Sequence, residues 1–436
     1  MEPPADDPAT RRRRQWSWVL YDVGNSAFYL TVVAAIFPFF YQDLYARARG
    51  GDGRELRTHG AAALALTAGI AMAAVALLGP VLGTIADRSG SKKRLLAAFM
   101  GLGCAACLGM VFIPEGGVGL ASALYALGTV GVAGSIVFYD ALLPAVARPG
   151  EADRVSSLGY AMGYLGSVVL LGLNMLWIRR PEWFGLRDAG QAARLSFASV
   201  GVWWALFTIP LLRCVPEPPP AGGPPRGSVL RDGFRRLGRT FREIRRYRAL
   251  VLFLAAYWVY SDGIGTIIKM ASAFGYSMGV GEGDLMAALV LTQVVGVPCA
   301  LAFGGLARFL GAKKGILLGL GVYTAVCLGA FFMSRTWHFY ALALGVGLVQ
   351  GGTQALSRSL YASMIPPARS GEFFGFFSTM EKFAGILGPL LLSLLWGGRD
   401  PDPRRGIAAV ALFFVAGALL LGKVDVEAGR RAAASG

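Results

Sequence analysis

Apolar residues run through this chain in long stretches, broken by short polar punctuation. A helix that crosses a bilayer needs roughly 20 apolar residues. Twelve stretches qualify as spans: 16–41, 61–85, 95–113, 118–146, 157–178, 195–213, 250–273, 285–307, 315–333, 337–361, 373–396 and 406–422. Helical periodicity separates little here, because a helix apolar on every side has almost no moment. Length and loop spacing carry the reading instead. Connections such as IPEGGV after the third span and SRTWH after the ninth are short, so neighbouring helices run antiparallel.

An even number of spans puts both termini on one side. Of the 42 Lys and Arg residues, 28 fall on the termini and even-numbered loops and 12 on the odd-numbered loops; Lys269 and Lys382 lie inside spans. That bias predicts that both termini are cytoplasmic. The long sixth loop then divides the chain. The predicted order is a tail (1–15), an N-terminal six-helix bundle (16–213), a linker (214–249), a C-terminal six-helix bundle (250–423) and a second tail (424–436). The linker opens with PEPPPAGGPPRGS, a flexible spacer. Residues 228–248 follow, where Leu230, Phe234, Leu237, Phe241 and Ile244 recur at helical spacing among eight arginines. This pattern predicts an amphipathic helix on the anionic headgroups of the cytoplasmic leaflet. A solvated basic linker and a regulatory docking segment are the alternatives.

Composition agrees with a membrane protein. Of 436 residues, 55% are hydrophobic and only 16% charged, against about 25% charged in soluble proteins. The net charge of +16 would suggest nucleic acid in a soluble chain. Here its concentration on one side explains it, and no nucleic-acid partner is expected. Cys104, Cys107, Cys214, Cys299 and Cys327 form no disulfide framework, and His59 and His338 stand alone, so no metal or cofactor is expected. No phosphate-binding loop and no Ser-His or Cys-His set is readable. Tyr21-Asp22 and Gly281–Asp284 resemble the paired acids of an intramembrane aspartyl protease only superficially, since Asp284 falls at a loop edge. The chain is read as not an enzyme. The first apolar run is too long for a cleaved leader, and Asp22 and Asn25 interrupt it.

An internal repeat sharpens the architecture. The loop after the second span reads GTIADRSGSKK (83–93) and the loop after the eighth reads GGLARFLGAKK (304–314). Gly83, Gly90, Lys92 and Lys93 map onto Gly304, Gly311, Lys313 and Lys314 at a constant offset of 221, while Asp87 becomes Arg308. Two duplicated six-span halves are one way in which secondary transporters are built. A lone acid in such a loop can accept hydrogen bonds from a neighbouring helix N-terminus.

GTIADRSGSKKR resembles the signature loop of the major facilitator superfamily, with Ser91 in the place of the usual arginine. Longer stretches resemble one branch of it, the fungal vacuolar amino-acid effluxers of autophagy and their bacterial relatives. They are WSWVLYDVGNSAFYLTVVAAIFPFFY, VFYDALLP, GYAMGYLG and GGTQALSRSLYASMIPPARSGEFFGFFSTMEKFAGILGP. The resemblance implies an all-α membrane protein with twelve transmembrane helices in two six-helix bundles, the major facilitator fold with its pseudo-two-fold repeat. It further implies alternating access, a monomer, a bacterial plasma membrane and, more distantly, amino-acid efflux. It implies that Asp87 touches the start of the eleventh helix. The fifth span lacks the Gly-Pro pattern of the drug antiporters.

Ionisable and amide groups inside spans are functional candidates by default. Asp22 and Asn25 lie in the first span, Asp262 and Lys269 in the seventh, Gln293 in the eighth, Gln350 in the tenth, and Glu381 and Lys382 in the eleventh. Asp262, about twelve residues or ~18 Å into its helix, sits near midplane. We read this set as the substrate or proton pathway, since a zwitterion needs one fixed anion and one fixed cation. Buried ion pairs tying helices together are the alternative. Glu381 and Lys382 are adjacent, so they point about 100° apart and only one is expected to face the pathway. A second set, Gly83, Asp87, Arg88, Gly90, Arg94, Asp140, Arg358 and Glu372, falls at the cytoplasmic mouth. Asp140 and Arg358 close the fourth and tenth spans with opposite signs, which suggests a latch at the inward gate. Gly159 and Gly163 have the spacing of a close helix contact, and Gly388-Pro389 marks a kink. The function read from all this is a secondary active or facilitative transporter of a small solute. The alternative is a non-transporting receptor or assembly factor on the same fold.

Overall fold

The apolar stretches fold as long helices. The computed structural model describes residues 7–51, 54–148, 150–220, 247–384 and 403–434. The amphipathic helix expected at 228–248 therefore falls outside the described residues up to 246, as does the kink expected at Gly388-Pro389. In chain order the helices are α1 (Pro8–Ala27), α2 (Phe37–Arg47), α3 (Arg54–Ser89), α4 (Lys92–Gly109), α5 (Val118–Ala141), α6 (Leu143–Val146), α7 (Ala152–Arg179) and α8 (Ala189–Cys214). The second half holds α9 (Arg248–Ser277), α10 (Glu282–Leu310), α11 (Ala312–Phe331), α12 (Thr336–Ala362), α13 (Ser370–Phe383), α14 (Pro403–Gly422) and α15 (Val426–Ala434). No strand occurs among the described residues.

Nine of these helices are long and apolar enough to cross a membrane, or ten when the bent pair in the first span counts as one. The tenth span, α12, has the length. Its second half carries Gln350, Thr353, Ser357, Arg358 and Ser359, most of them buried against protein, which lowers its overall hydropathy. The first span is broken. Residues Phe28–Ala35 wind as a π-helix, and α2 leaves at 40°. Pro38 offers no N–H to continue the ladder, and the Ile36 N–H reaches back five residues to the Thr31 carbonyl at 2.8 Å. Elsewhere Pro80, Pro210 and Pro298 sit inside continuous helices, as membrane helices tolerate.

The chain forms two compact units. One comprises Met1–Leu78, Ser91–Asp140 and Met162–Glu217; in it α1 and α4 both pack along α8. Its core is aromatic, with Trp18, Phe28, Phe37, Tyr125, Phe197 and Trp204 buried. The other unit comprises Gly79–Gly90, Ala141–Ala161 and Pro218–Gly436. There α10 pairs with α12, α9 and α11 pack on α14, and Tyr323 stacks on Phe414 at 4.9 Å. Leu66, Ile70, Leu77, Phe309, Leu412 and Leu419 are exposed. In water they would be a liability. Against lipid tails they cost nothing, and helix association relies on packing and hydrogen bonds.

Candidate transport pathway and cytoplasmic gate

The second unit joins three chain segments, and α13 lies where they meet. The first N–H groups of a helix lack partners within it. At α13 the carboxylate of Asp87, on the last turns of α3, supplies them: Oδ1 accepts from the Gly371 N–H at 2.9 Å and Oδ2 from the Glu372 N–H at 2.7 Å. Asp87 is buried, and it stands at the positive end of the helix dipole. Glycines permit this approach. A Cβ on Gly83 would fall on the Gly371 carbonyl, and one on Gly375 would lie 2.6 Å from Pro80 Cα and 2.7 Å from the Gly79 carbonyl oxygen. Gly79 and Gly83 on α3 thus face Gly371 and Gly375 on α13, each pair with three residues between. Gly90, at φ +57°, ends α3 in the left-handed region that glycine adopts freely. Arg369 Nε reaches the buried Glu372 carboxylate at 3.1 Å, and Ser370 Oγ donates to the Ala141 carbonyl at 2.8 Å. Arg88 is half-buried and Arg94 exposed.

The other copy of the repeat sits in the same way with different chemistry. Gly304 on α10 faces the start of α7, where an added Cβ would lie 2.8 Å from Ser157 Cβ. Arg358, on α12, donates from Nε to Ser156 Oγ at 2.8 Å and from Nη2 to the Ser156 carbonyl at 3.0 Å; its guanidinium lies 4.6 Å from the Tyr160 ring centroid. One residue on, Ser359 Oγ donates to Asp153 Oδ1 at 2.5 Å. Asp153 and Ser156 are not legible in the sequence because they lie at a helix start beside ordinary loop residues, and Tyr160, within the GYAMGYLG stretch, because tyrosine is common in a span. Asp140 is buried at the end of α5.

The pathway candidates divide by unit. In the second, Asp262 on α9 is fully buried, and Thr266 Oγ1 donates to its carbonyl at 2.7 Å while lying 3.5 Å from Oδ1. Lys269, two turns further on, is within electrostatic reach of Asp262, Lys382 and Glu381. Lys382 Nζ pairs with Glu381 Oε2 at 3.1 Å, so the two neighbours turn toward one another although their Cα–Cβ bonds diverge. Gln293 and Gln350 are half-buried on α10 and α12. Tyr257 stacks on Phe377 at 4.1 Å and lies within reach of Glu381. The sequence reading passed over it as one more aromatic in an apolar run.

In the first unit Tyr139 and Asn25 both donate to Asp22. Tyr139 OH donates to Oδ2 at 2.7 Å, and Asn25 Nδ2 to Oδ1 at 3.2 Å. Trp18 stacks on Tyr139 at 4.3 Å and donates from Nε1 to its carbonyl at 3.0 Å; Tyr21 OH donates to Ser135 Oγ at 2.6 Å. Gly163 on α7 lets that helix approach α1 at Ser26 and the Asp22 carbonyl. The geometry makes Asp22 and Asn25 parts of a tie between α1 and α5. Removing one hydrogen bond to a charged group costs about 1.5–3 kcal/mol. Tyr139→Phe should therefore unfold several degrees below wild type in a detergent melt; an unchanged melt would show that this tie adds nothing to stability.

The chain matches the model of the family described as vacuole effluxer Atg22-like over residues 10–434. It belongs to the Atg22-like family. Among relatives, the MFS-type transporter YxiO of Bacillus subtilis is 37% identical over 417 residues, covering 95% of each chain. The Autophagy-related protein 22-1 of Aspergillus niger is 30% identical over 306 residues, covering 65% of this chain and 49% of the fungal one. This chain thus spans about half the length of its fungal relatives. In fold it is similar to the human organic anion transporter MFSD10, with a TM-score of 0.69 at 13% identity, covering 95% of this chain and all of that one. The Atg22-like chain is an integral membrane transporter of the major facilitator type, with the all-α, twelve-helix fold that goes with it. These matches do not favour the receptor or assembly-factor reading.

Proposed function

We propose that the chain exports small zwitterionic solutes, amino acids foremost, by alternating access across a bacterial plasma membrane. It works as a monomer with both termini in the cytoplasm. The eight arginines of the 228–248 sequence would draw it to anionic headgroups. One observation carries the reading: a single helix bears both the Asp87 contact and the Glu381–Lys382 charges. Asp87 holds the N-terminal turn of α13, and Glu381 and Lys382 lie on its last turns, nine or ten residues on, or ~14 Å at 1.5 Å per residue. A helix is stiff over that length, so occupancy of the charged end is felt at the gated end. Lys269 on α9 lies within electrostatic reach of those charges and of Asp262, and Asp262 and Lys269 would supply an anion and a cation for a substrate's ammonium and carboxylate. Release of α13 by Asp87 would open the cytoplasmic end, and recapture would close it.

The test is counterflow. Proteoliposomes loaded with a mixed amino-acid pool should take up labelled leucine, isoleucine or tyrosine faster than protein-free vesicles, and Glu381→Gln should slow that uptake. The absence of exchange for all twenty amino acids would remove the proposed substrate class. Exchange unaffected by Glu381→Gln would remove that carboxylate from the pathway.

A further inference from the structure

A second internal repeat lies in the helices that begin the two halves. WVLYDVGNS (18–26) and WVYSDGIGT (258–266) align at a constant offset of 240, matching Trp18 with Trp258, Val19 with Val259, Asp22 with Asp262 and Ser26 with Thr266. Their partner helices repeat too. Ser135, Tyr139 and Pro144 correspond to Ser357, Tyr361 and Pro366 at an offset of 222. A tyrosine–serine tie occurs in both copies, Tyr21 to Ser135 at 2.6 Å and Tyr260 to Ser357 at 2.7 Å, although Tyr260 aligns with Leu20, one position before Tyr21.

The rest of the constellation differs. In the first copy the indole N–H of Trp18 donates to the Tyr139 carbonyl, and the Tyr139 hydroxyl donates to Asp22. In the second copy the equivalent tyrosine has turned away. Tyr361 donates its hydroxyl to the Phe373 carbonyl at 2.6 Å, and its ring packs among Phe253, Phe374 and Phe377. The Trp258 Nε1 atom is buried and has no acceptor among the described residues. An indole N–H can only donate, and a buried donor without an acceptor is rare and calls for a cause. Trp177 shares this condition, and Trp204 nearly so, its side chain lying within hydrogen-bonding reach of Tyr21, but neither has an acidic residue within two turns on its own helix. Trp258 stands four residues before Asp262, hence on the same face and about 6 Å along the axis.

We propose that the indole N–H of Trp258 is a substrate contact, donating to a carboxylate oxygen of the transported solute while Asp262, one turn away, receives the solute's ammonium group. An α-amino acid carries both charges on one carbon, so this pair of groups selects zwitterions whose charges are adjacent. The assignment rests on the reading of Asp262 as part of the pathway. By the same comparison the Trp18 copy is structural, since its donor is consumed within the fold.

The experiment labels the nine tryptophans with 15N-indole in the full-length protein in detergent and assigns the Trp258 resonance by Trp258→Phe. Three pools are then titrated: the twenty amino acids, the matching amines without a carboxylate, and the matching acids without an amine. A shift of the Trp258 resonance with amino acids but not with amines supports the contact. A shift with the acids alone keeps the contact while the amino-acid reading fails. No shift with either carboxylate-bearing pool overturns the proposal. In counterflow, Trp258→Phe should raise half-saturation at least about tenfold, the factor expected for one lost hydrogen bond to a charged group, with the maximal rate and melting temperature near wild type. Trp18→Phe should do the reverse, lowering the melting temperature while half-saturation stays. An unchanged half-saturation in Trp258→Phe, beside a wild type that exchanges, also overturns the proposal.

Discussion

Gly83→Val is expected to exchange substrate at least about tenfold more slowly than wild type while still inserting and folding. A valine at this position directs its first carbon onto the Gly371 carbonyl, and that atom belongs to backbone and cannot swing aside. Overpacking of this kind costs about 1–3 kcal/mol. In the proposed cycle the cost falls on one state alone, the one in which α3 and α13 touch. A bias of that size shifts a two-state balance roughly 5- to 150-fold. The cytoplasmic seam should therefore stand open, and a cysteine placed at the buried Ser378 on α13 should react with a membrane-impermeant thiol reagent from the cytoplasmic side. Asp87→Asn should move the same balance less far, because the amide still accepts one hydrogen bond but brings no charge to the helix dipole. Wild-type exchange rates in Gly83→Val would mean that this contact does not form part of the cycle.

Asp262→Asn is expected to lose nearly all exchange, whereas Asp22→Asn should chiefly lose stability. The two acids hold matching positions in the repeat, yet their surroundings differ. Asp22 is tied by Tyr139 and Asn25 within one unit. Asp262 shares its surroundings with the cation of Lys269. Neutralising Asp262 removes a charge from the proposed path and leaves Lys269 with weaker opposition, so both halves of a zwitterion's site are disturbed. Rates and melting temperatures measured side by side separate the outcomes. If Asp22→Asn stops exchange without lowering the melting temperature, or Asp262→Asn exchanges like wild type, the division of labour between the copies is wrong.

Much of the fold is legible in the residue order. A span announces itself through composition, since lipid accepts few charges over roughly 20 residues, and duplicated glycine loops survive as an offset that anyone can count. The candidate sites are only half legible. Asp262, Glu381 and Asp87 stand out because an acid in or beside a span is costly. Tyr139, Ser156, Tyr257 and Trp258 do not, because tyrosine, serine and tryptophan are ordinary in membrane helices. The Trp-Val…Asp repeat was available in the sequence and would have drawn attention to Trp258; its meaning was not.

By itself the sequence determined that this chain crosses a membrane many times, that its halves are related, and which residues are too polar to face lipid. These are local properties, decided by the transfer of each side chain between water, lipid and protein. The tertiary structure decided which partner each polar group has. The Asp87 carboxylate lands on Gly371 and Glu372 nearly three hundred residues away, and Tyr139 binds Asp22 while its counterpart Tyr361 turns to Phe373. No periodicity encodes such choices, because a hydrogen bond depends on atoms meeting within about 3 Å, and only the packing of whole helices brings them there.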